Sequence, residues 1–501
     1  SVDLSLVHVI IPVTSSPQLK VRRCSSTGPI RWRWPVRPAV YLKYTQFRID
    51  LPPTHRKAPV ARVDLTEGDL TRALLRLAVP MTVGIFSVLV FNLADTLFVS
   101  QLGTEQLAAM SFTFPVVMVL MGVSFALSTG TASVVSRAIG RGDEARVKRL
   151  ASDSLSLSFL TVALVTILGM VTIDPLFSAL GASEEILPLI RDYMLIWYPG
   201  VAFLVIPIVA NASIRAGGDT KFPASVMVGA MLLNLVLDPI FIFGWFGVPR
   251  LELQGAAIAT VIARALTMIA SLAILHFRDR LLDFRTPSLG EVFASWREIS
   301  SIAIPVAATN IMQPVAMGVV TRMIAEFGPA AVAAWGAGER VSAFVMVPVF
   351  AMCSALVPLV GQNWGAGQYD RVRQARNMGF LFAFGWGVLM MGVIWLGSAQ
   401  IGTIFGTDPD LTRELVQYLW IMPVGYALYG VLNISEETLN AVGRPMMAAG
   451  QTLIHMFAFY APLALAGAWF AQMPGLLWGV ATANALGGVV AYGLSRRACS
   501  Q

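Results

Sequence analysis

Charge is scarce in this chain: 13% of its 501 residues are Asp, Glu, Lys or Arg, about half the share of an ordinary soluble domain. With 56% hydrophobic residues and a mean hydropathy of +0.69, that scarcity excludes a soluble globular domain and indicates a polytopic membrane protein. Cysteine is nearly missing. The three present (Cys24, Cys353, Cys499) form no CxxC pair, so neither a disulfide framework nor a zinc site is indicated. The four histidines (His8, His55, His276, His455) are equally dispersed. No GxxxxGK stretch offers a nucleotide cradle, and no His-rich or paired-acid loop lies near an interface, which argues against a membrane enzyme.

The net charge of +7 is unevenly placed. Residues 1–64 carry +8 and residues 65–501 carry −1. The basic tail includes Arg22-Arg23, Arg31-Trp32-Arg33-Trp34 and His55-Arg56-Lys57. It shows no sustained period and no apolar signal region ending in a small-residue cleavage site. It reads as a disordered extension, or as upstream sequence outside the native protein, with some capacity to touch anionic lipid head groups. It takes no part in the reading of the fold.

From Leu65 onward the chain is a series of apolar segments of about the 20 residues that a helix needs to cross a bilayer. Twelve are expected, near 74–99, 105–133, 152–175, 188–213, 223–247, 254–277, 299–325, 331–360, 376–404, 411–437, 446–470 and 474–495. Their length and lack of alternation make them helices rather than barrel strands. Alternate connections are rich in Arg and Lys: nineteen lie on one side, Arg137, Arg146, Arg371 and Arg444 among them. The opposite loops hold Arg191, Arg250 and Arg413. By the positive-inside rule both termini are then cytoplasmic, in a cell membrane that we take as a bacterial or archaeal inner membrane.

A repeat runs at an offset of 225 residues. Pro80 matches Pro305, Gly103 matches Gly328, Gly140-x-Gly142 matches Gly365-x-Gly367, Tyr193 matches Tyr418, and Ala216-x-Gly218 matches Ala441-x-Gly443. Near the end the register slips by one, Leu253-x-Gly255 facing Leu477-x-Gly479. The expected fold is all-α and integral to the membrane, twelve helices in two pseudo-symmetric six-helix bundles. Parallel repeats of this kind enclose a ligand region in secondary transporters. The divisions are a tail (1–64), a first lobe (65–277), a cytoplasmic linker (278–298), a second lobe (299–495) and a short terminus (496–501).

Chemistry is sought where the repeat breaks. Asp95 lies within the apolar Val90–Phe98 run and faces Val320 in the repeat, while Asp238 faces Leu463. A carboxylate at membrane depth is costly unless neutralised, paired or hydrated, so it marks function by default. Asn234 and Asp238 are four apart on one helical face, and Pro239 lacks the N–H that would bond the Leu235 carbonyl. Helix rise puts Asp95, Asp238, Tyr193 and Thr260 in the same outer half of the first lobe. This oxygen-rich group suits a proton on a buried carboxyl or a small hard cation such as Na⁺, with Asp95, Asn234, Asp238 and Thr260 as ligands. Glu339-Arg340 reads as a self-compensating pair, and Glu436-Glu437 as part of a hydrated mouth. The 22 Met and 10% aromatic residues fit an adaptable pocket, though Met in apolar helices is more often plain packing.

Pro80…Asp95, Thr129-Gly130-Thr131-Ala132, Ser136-Arg137-x-x-Gly140-x-Gly142, Ile214-Arg215-Ala216-Gly217-Gly218-Asp219-Thr220-Lys221 and Asn234-x-x-x-Asp238-Pro239 together resemble the multidrug and toxic compound extrusion (MATE) transporters, the DinF-like branch best. The resemblance covers about residues 70–495. It implies a V-shaped cleft between two lobes, alternating access, and export of cationic or amphipathic compounds against inward H⁺ or Na⁺. It implies Asp95 as principal coupling carboxylate, Asn234 and Asp238 as its network, and Tyr193 and Thr260 at the periphery. Asn211 matches a position facing the lobe cavity, and Asn92 and Glu339 are taken with it as candidate substrate contacts. No covalent cofactor, no nucleic acid and a monomer in the bilayer are expected. Second-lobe acids of the other bacterial branch have no evident counterpart. The alternative is a flippase or exporter of a lipid-linked or other amphipathic metabolite. That activity calls for a basic cavity, for which the spans offer Arg264, Arg322 and Arg340.

Overall fold

The computed structural model describes residues 63–283, 288–405 and 408–498. The basic tail to residue 62, with Cys24, His8 and His55, lies outside them, as do Arg285 and Cys499. A chain crossing hydrocarbon must satisfy its backbone internally, and the described residues do so with long helices. These are α1 (Leu70–Ser100), α2 (Thr104–Gly140), α3 (Glu144–Ala179), α4 (Leu187–Ala216), α5 (Lys221–Phe243), α6 (Glu252–Ala273), α7 (Leu289–Ala325), α8 (Pro329–Gly365) and α9 (Tyr369–Phe405). The tenth crossing is α10 (Pro409–Ile421) joined through a 3₁₀ turn to α11 (Tyr426–Ala441). The eleventh begins with α12 (Pro445–Leu453) and a π turn (Ile454–Tyr460) and passes into α13 (Ala461–Ala498). Among the described residues, eleven helical stretches are long and apolar enough to span. The last, Pro445–Ala498, contains two crossings, because Ala471 (φ −145°) and Gln472 (φ 51°) break it just before Pro474. Twelve spans result.

Most ends agree with the apolar runs, and α7 differs for a visible reason. Residues 289–298, read from their charge as linker, form its first turns. Ser288 accepts from the Glu291 N–H while the Glu291 carboxylate accepts from the Ser288 N–H, a capping box that starts a helix well before hydropathy announces one.

The repeat is visible in backbone angles. Gly142 (φ 73°) pairs with Gly367 (φ 74°) and Gly218 (φ 85°) with Gly443 (φ 80°), so matched turns use the left-handed conformation that glycine tolerates. The two apolar cores exchange their leading helices. Leu70, Leu74 and Leu77 of α1 join the second-half core, whereas Ile299, Ile302 and Val306 of α7 join the first-half core.

On the Arg-rich side the halves interlock. A Cβ on Gly140 would collide with the Gln362 carbonyl oxygen, one on Gly361 with Ser136 Oγ, and one on Gly365 with the Arg137 carbonyl, so α2 and α8 cross backbone to backbone. Ser133 Oγ donates to the Asn440 carbonyl at 2.6 Å. The segment before α1 is threaded into this junction. The Val63 N–H donates to Gly217 O at 3.0 Å, and the Leu65 N–H to Gln362 Oε1 at 3.1 Å. Gln362 Nε2 donates to Ala216 O at 2.8 Å, and Asn363 Nδ2 to Leu65 O at 3.0 Å. Gln362 is 1% exposed, so Gln362→Ala strands a donor and an acceptor that span both halves. Orphaned buried groups cost about 1–3 kcal/mol each. The variant should melt at lower temperature in detergent and expose the Val63–Gly68 segment to protease; unchanged melting and protection would show that this junction contributes nothing.

Candidate functional site

The first half gathers a polar cluster near the helix ends opposite the Arg-rich side. Asp95 is five residues from the end of α1, Asp238 five from the end of α5, Tyr193 six from the start of α4 and Thr260 eight from the start of α6. At 1.5 Å per residue all four share a layer about 7–12 Å inside the helix ends. Asn234, Asp238, Thr260 and Tyr193 are buried. Asn234 Nδ2 donates to Thr260 Oγ1 at 3.3 Å, tying α5 to α6. Asp95 acts electrostatically on both Tyr193 and Asp238, so the group expected from sequence is brought together. Both oxygens of Asp238 and one of Asp95 are buried and accept no hydrogen bond from the described residues. Two neighbouring carboxylates left this way are expensive as a charged pair and tolerable once a proton or cation joins them.

Arg264 was missed as a member. It stands one helical turn from Thr260 on the same face of α6, within electrostatic reach of Asp95 and Tyr193. The four-residue spacing was legible in the sequence. What a linear reading lacked was that α6 packs against α4 and α5. With two acids and one guanidinium, the group is one positive charge short of neutrality.

The three candidate substrate contacts are not brought together. Asn211 is buried between α4 and α6, its Oδ1 accepting from Ser271 Oγ at 3.1 Å. Asn92 is exposed on α1, its carbonyl accepting from Thr96 Oγ1. Glu339 lies in the second half. It is not paired with Arg340 within 4 Å among the described residues; Arg340 is exposed, and the Glu339 carboxylate accepts from the Tyr418 hydroxyl at 2.7 Å. The pair expected between them is therefore corrected. Adjacent helical residues point about 100° apart, which separates them.

The second half contains a cavity of about 820 Å³, solvent at its mouth included, among α7, α8, α11, the π turn and α13. Glu339 and Glu436 both line it, so acids are not confined to the first half. Thr452 Oγ1 donates to Glu436 at 3.1 Å. His455 and Asn484 are hydrogen-bonded at 3.1 Å in its wall. The signal available in sequence was Tyr418, repeat partner of Tyr193, with Glu339 nearly three turns into α8.

The MatE family profile matches residues 80–240 and 305–473. The chain is 37% identical over 438 residues to the "FAD transporter" of Shewanella oneidensis, 87% of this chain and 97% of that protein. It is 24% identical over 423 residues to the "Multidrug export protein MepA" of Staphylococcus aureus, covering 83% and 91%. Among solved structures it is similar to the Vibrio cholerae MATE transporter VcmN in the bent form, with TM-score 0.82, 30% identity and coverage of 86% and 97%. A structure described as the outward-facing conformation of a multidrug resistance MATE family transporter of the MOP superfamily matches at TM-score 0.82 and 26% identity, covering 89% and 99%.

Proposed function

The chain belongs to the MatE family of membrane transporters, and from that membership we propose that it is a secondary active antiporter exporting cationic or amphipathic compounds in exchange for inward H⁺ or Na⁺. The observation that carries this reading is the Asp95–Asp238 pair, Asp238 buried and Asp95 half-buried, with three buried oxygens that have no hydrogen-bond partner among the described residues and one charge short of neutrality beside Arg264. Such a group binds one monovalent cation favourably and is strained without it.

Asp95 is the principal coupling carboxylate, Asp238 and Asn234 complete its site, and Tyr193 and Thr260 border it. For Na⁺, the oxygens of Asp95, Asp238, Asn234 and Thr260 would be the ligands; for H⁺, one carboxyl suffices. Filling the site removes repulsion between α1 and α5, and emptying it restores that repulsion. The interlocked cytoplasmic ends support an outward-open state, the other side being reached when α2 and α8 part. Transport driven by a pH gradient and, separately, by a Na⁺ gradient in the same proteoliposomes tests the reading. One gradient should drive accumulation and dissipating it should stop it; transport indifferent to both would refute antiport. The name of the Shewanella relative supports a second reading, export of a dinucleotide such as FAD, for which loss of extracellular flavin on deletion is the readout.

A further inference from the structure

We propose that Arg264 is a built-in counter-charge that fixes the valence of the first-half ion site, restricting it to one monovalent cation and excluding Ca²⁺ and other divalent cations. The assignment deepens the antiport reading and rests on its choice of Asp95 and Asp238 as the ion site. Arg264 lies 12 residues after the start of α6, about 18 Å along that helix. A long helical side chain points back toward the helix N-terminus, so the guanidinium is carried toward the layer in which Asn234 bonds Thr260 at 3.3 Å. Among the described residues, the charges that act on Asp95, Asp238, Tyr193 and Arg264 come from within this group. The count of two negatives and one positive is therefore closed. Arg264 nevertheless leaves the acids open. Among the described residues it forms no ion pair within 4 Å, and both Asp238 oxygens and one of Asp95 keep no hydrogen-bond partner. Its charge is felt while those oxygens stay available to a ligand.

The repeat marks the three charges as a unit. Asp95 faces Val320, Asp238 faces Leu463 and, in the slipped register, Arg264 faces Gly488. A Cβ on Gly488 would already meet the Leu428 carbonyl oxygen, so the second half has neither the acid pair nor room for the guanidinium. An arginine kept for packing alone has no reason to break the repeat beside both acids. Selectivity follows from the sum of charges. With both acids ionised the group carries −1; one H⁺ or Na⁺ brings it to zero, whereas a divalent cation takes it to +1. Uncompensated charge of either sign is costly at membrane depth, so the monovalent ion alone is accommodated. Without Arg264 the group carries −2. Two carboxylates with the Asn234 and Thr260 oxygens are then hard ligands suited to Ca²⁺.

Equilibrium dialysis of the purified full chain in detergent against radiolabelled Ca²⁺, at mildly alkaline pH, tests this without any substrate. Wild type should bind no Ca²⁺ that Asp95→Asn removes. Arg264→Met should gain one Ca²⁺ per chain, at least about a hundredfold tighter than wild type, and adding Asp95→Asn should abolish the gain. Arg264→Met combined with Asp238→Asn carries −1 again and should exclude Ca²⁺. Arg264→Lys keeps the charge and should exclude it too. Melting curves confirm folding of each variant, and Arg264→Gln replaces Arg264→Met if the latter unfolds. Ca²⁺ held at the cluster in wild type, no gain in the uncharged variant, or an equal gain in Arg264→Lys would overturn the assignment. The expected Ca²⁺ pattern with no H⁺ or Na⁺ counter-flux against substrate in wild type would instead refute the antiport reading alone.

Discussion

Asp95→Asn should reduce gradient-driven transport by at least about a hundredfold while leaving the protein folded and its melting temperature close to that of wild type. The side chain is nearly the same size, and the Asp95 oxygen that is buried accepts no hydrogen bond to lose. What disappears is the charge. With Asp95 neutral, Asp238 and Arg264 balance one another, the group no longer calls for a cation, and the gradient has nothing to act on. A hundredfold loss corresponds to ~2.8 kcal/mol, within the ~4 kcal/mol that two charges near 4 Å exchange at an effective dielectric of about 20. Asp238→Asn should act in the same direction. Transport retained in Asp95→Asn at more than half the wild-type rate would remove Asp95 from the coupling site.

The second large effect is expected at the crossing of α2 and α8. Gly140→Val places side-chain atoms where the Gln362 carbonyl oxygen and the Ala366 N–H now lie. Backbone cannot rotate away as a flexible side chain does, so the helices must separate. Overpacking of this sort costs about 1–3 kcal/mol or more, and here the cost falls on the arrangement in which the Arg-rich ends of the two halves are interlocked. Gly365→Val meets the Arg137 carbonyl and should behave alike. Either variant should lose most transport, and a cysteine at the buried Thr131 position, introduced after Cys24, Cys353 and Cys499 are replaced by serine, should label about tenfold faster from the Arg-rich side. Labelling as slow as in the parent, with transport retained, would show that the crossing opens by another route.

Much of the fold was legible because membrane helices announce themselves by length and hydropathy. The repeat at an offset of 225 read the architecture correctly, since glycines such as Gly142 and Gly367 are fixed by backbone geometry rather than by contacts. One helical detail escaped: the first turns of α7 are charged and rest on a capping box, which hydropathy does not register. The break at Ala471–Gln472 falls in the gap left between the spans expected at 446–470 and 474–495. The cluster of Asp95, Asn234, Asp238, Thr260 and Tyr193 was foreseen because depth follows from helix rise and is independent of partners. Azimuth is not. Whether Glu339 faces Arg340, lipid or a cavity depends on how α8 is rotated against α10 and α11, and no local pattern encodes that. For the same reason Arg264 was noticed as an intramembrane cation without being joined to Asp95, and Glu436 was not joined to Glu339 in one cavity.

The exchange of leading helices between the cores bears on mechanism. Because the start of α1 packs with the second half while its far end carries Asp95 into the first, a change at Asp95 can be felt where the halves meet. The threaded Val63–Gly68 segment sits at that end of α1, so the same helix touches both the carboxylate cluster and the junction on the Arg-rich side.

The most direct test of the central claim, that the first-half carboxylates exchange an ion for substrate, is to impose only a substrate gradient across proteoliposomes and record ion movement with internal pH and Na⁺ indicators. The account predicts that substrate flux drives H⁺ or Na⁺ the opposite way in wild type and that this counter-flux vanishes in Asp95→Asn. Substrate movement with no counter-flux in wild type, or counter-flux that survives in Asp95→Asn, would contradict it.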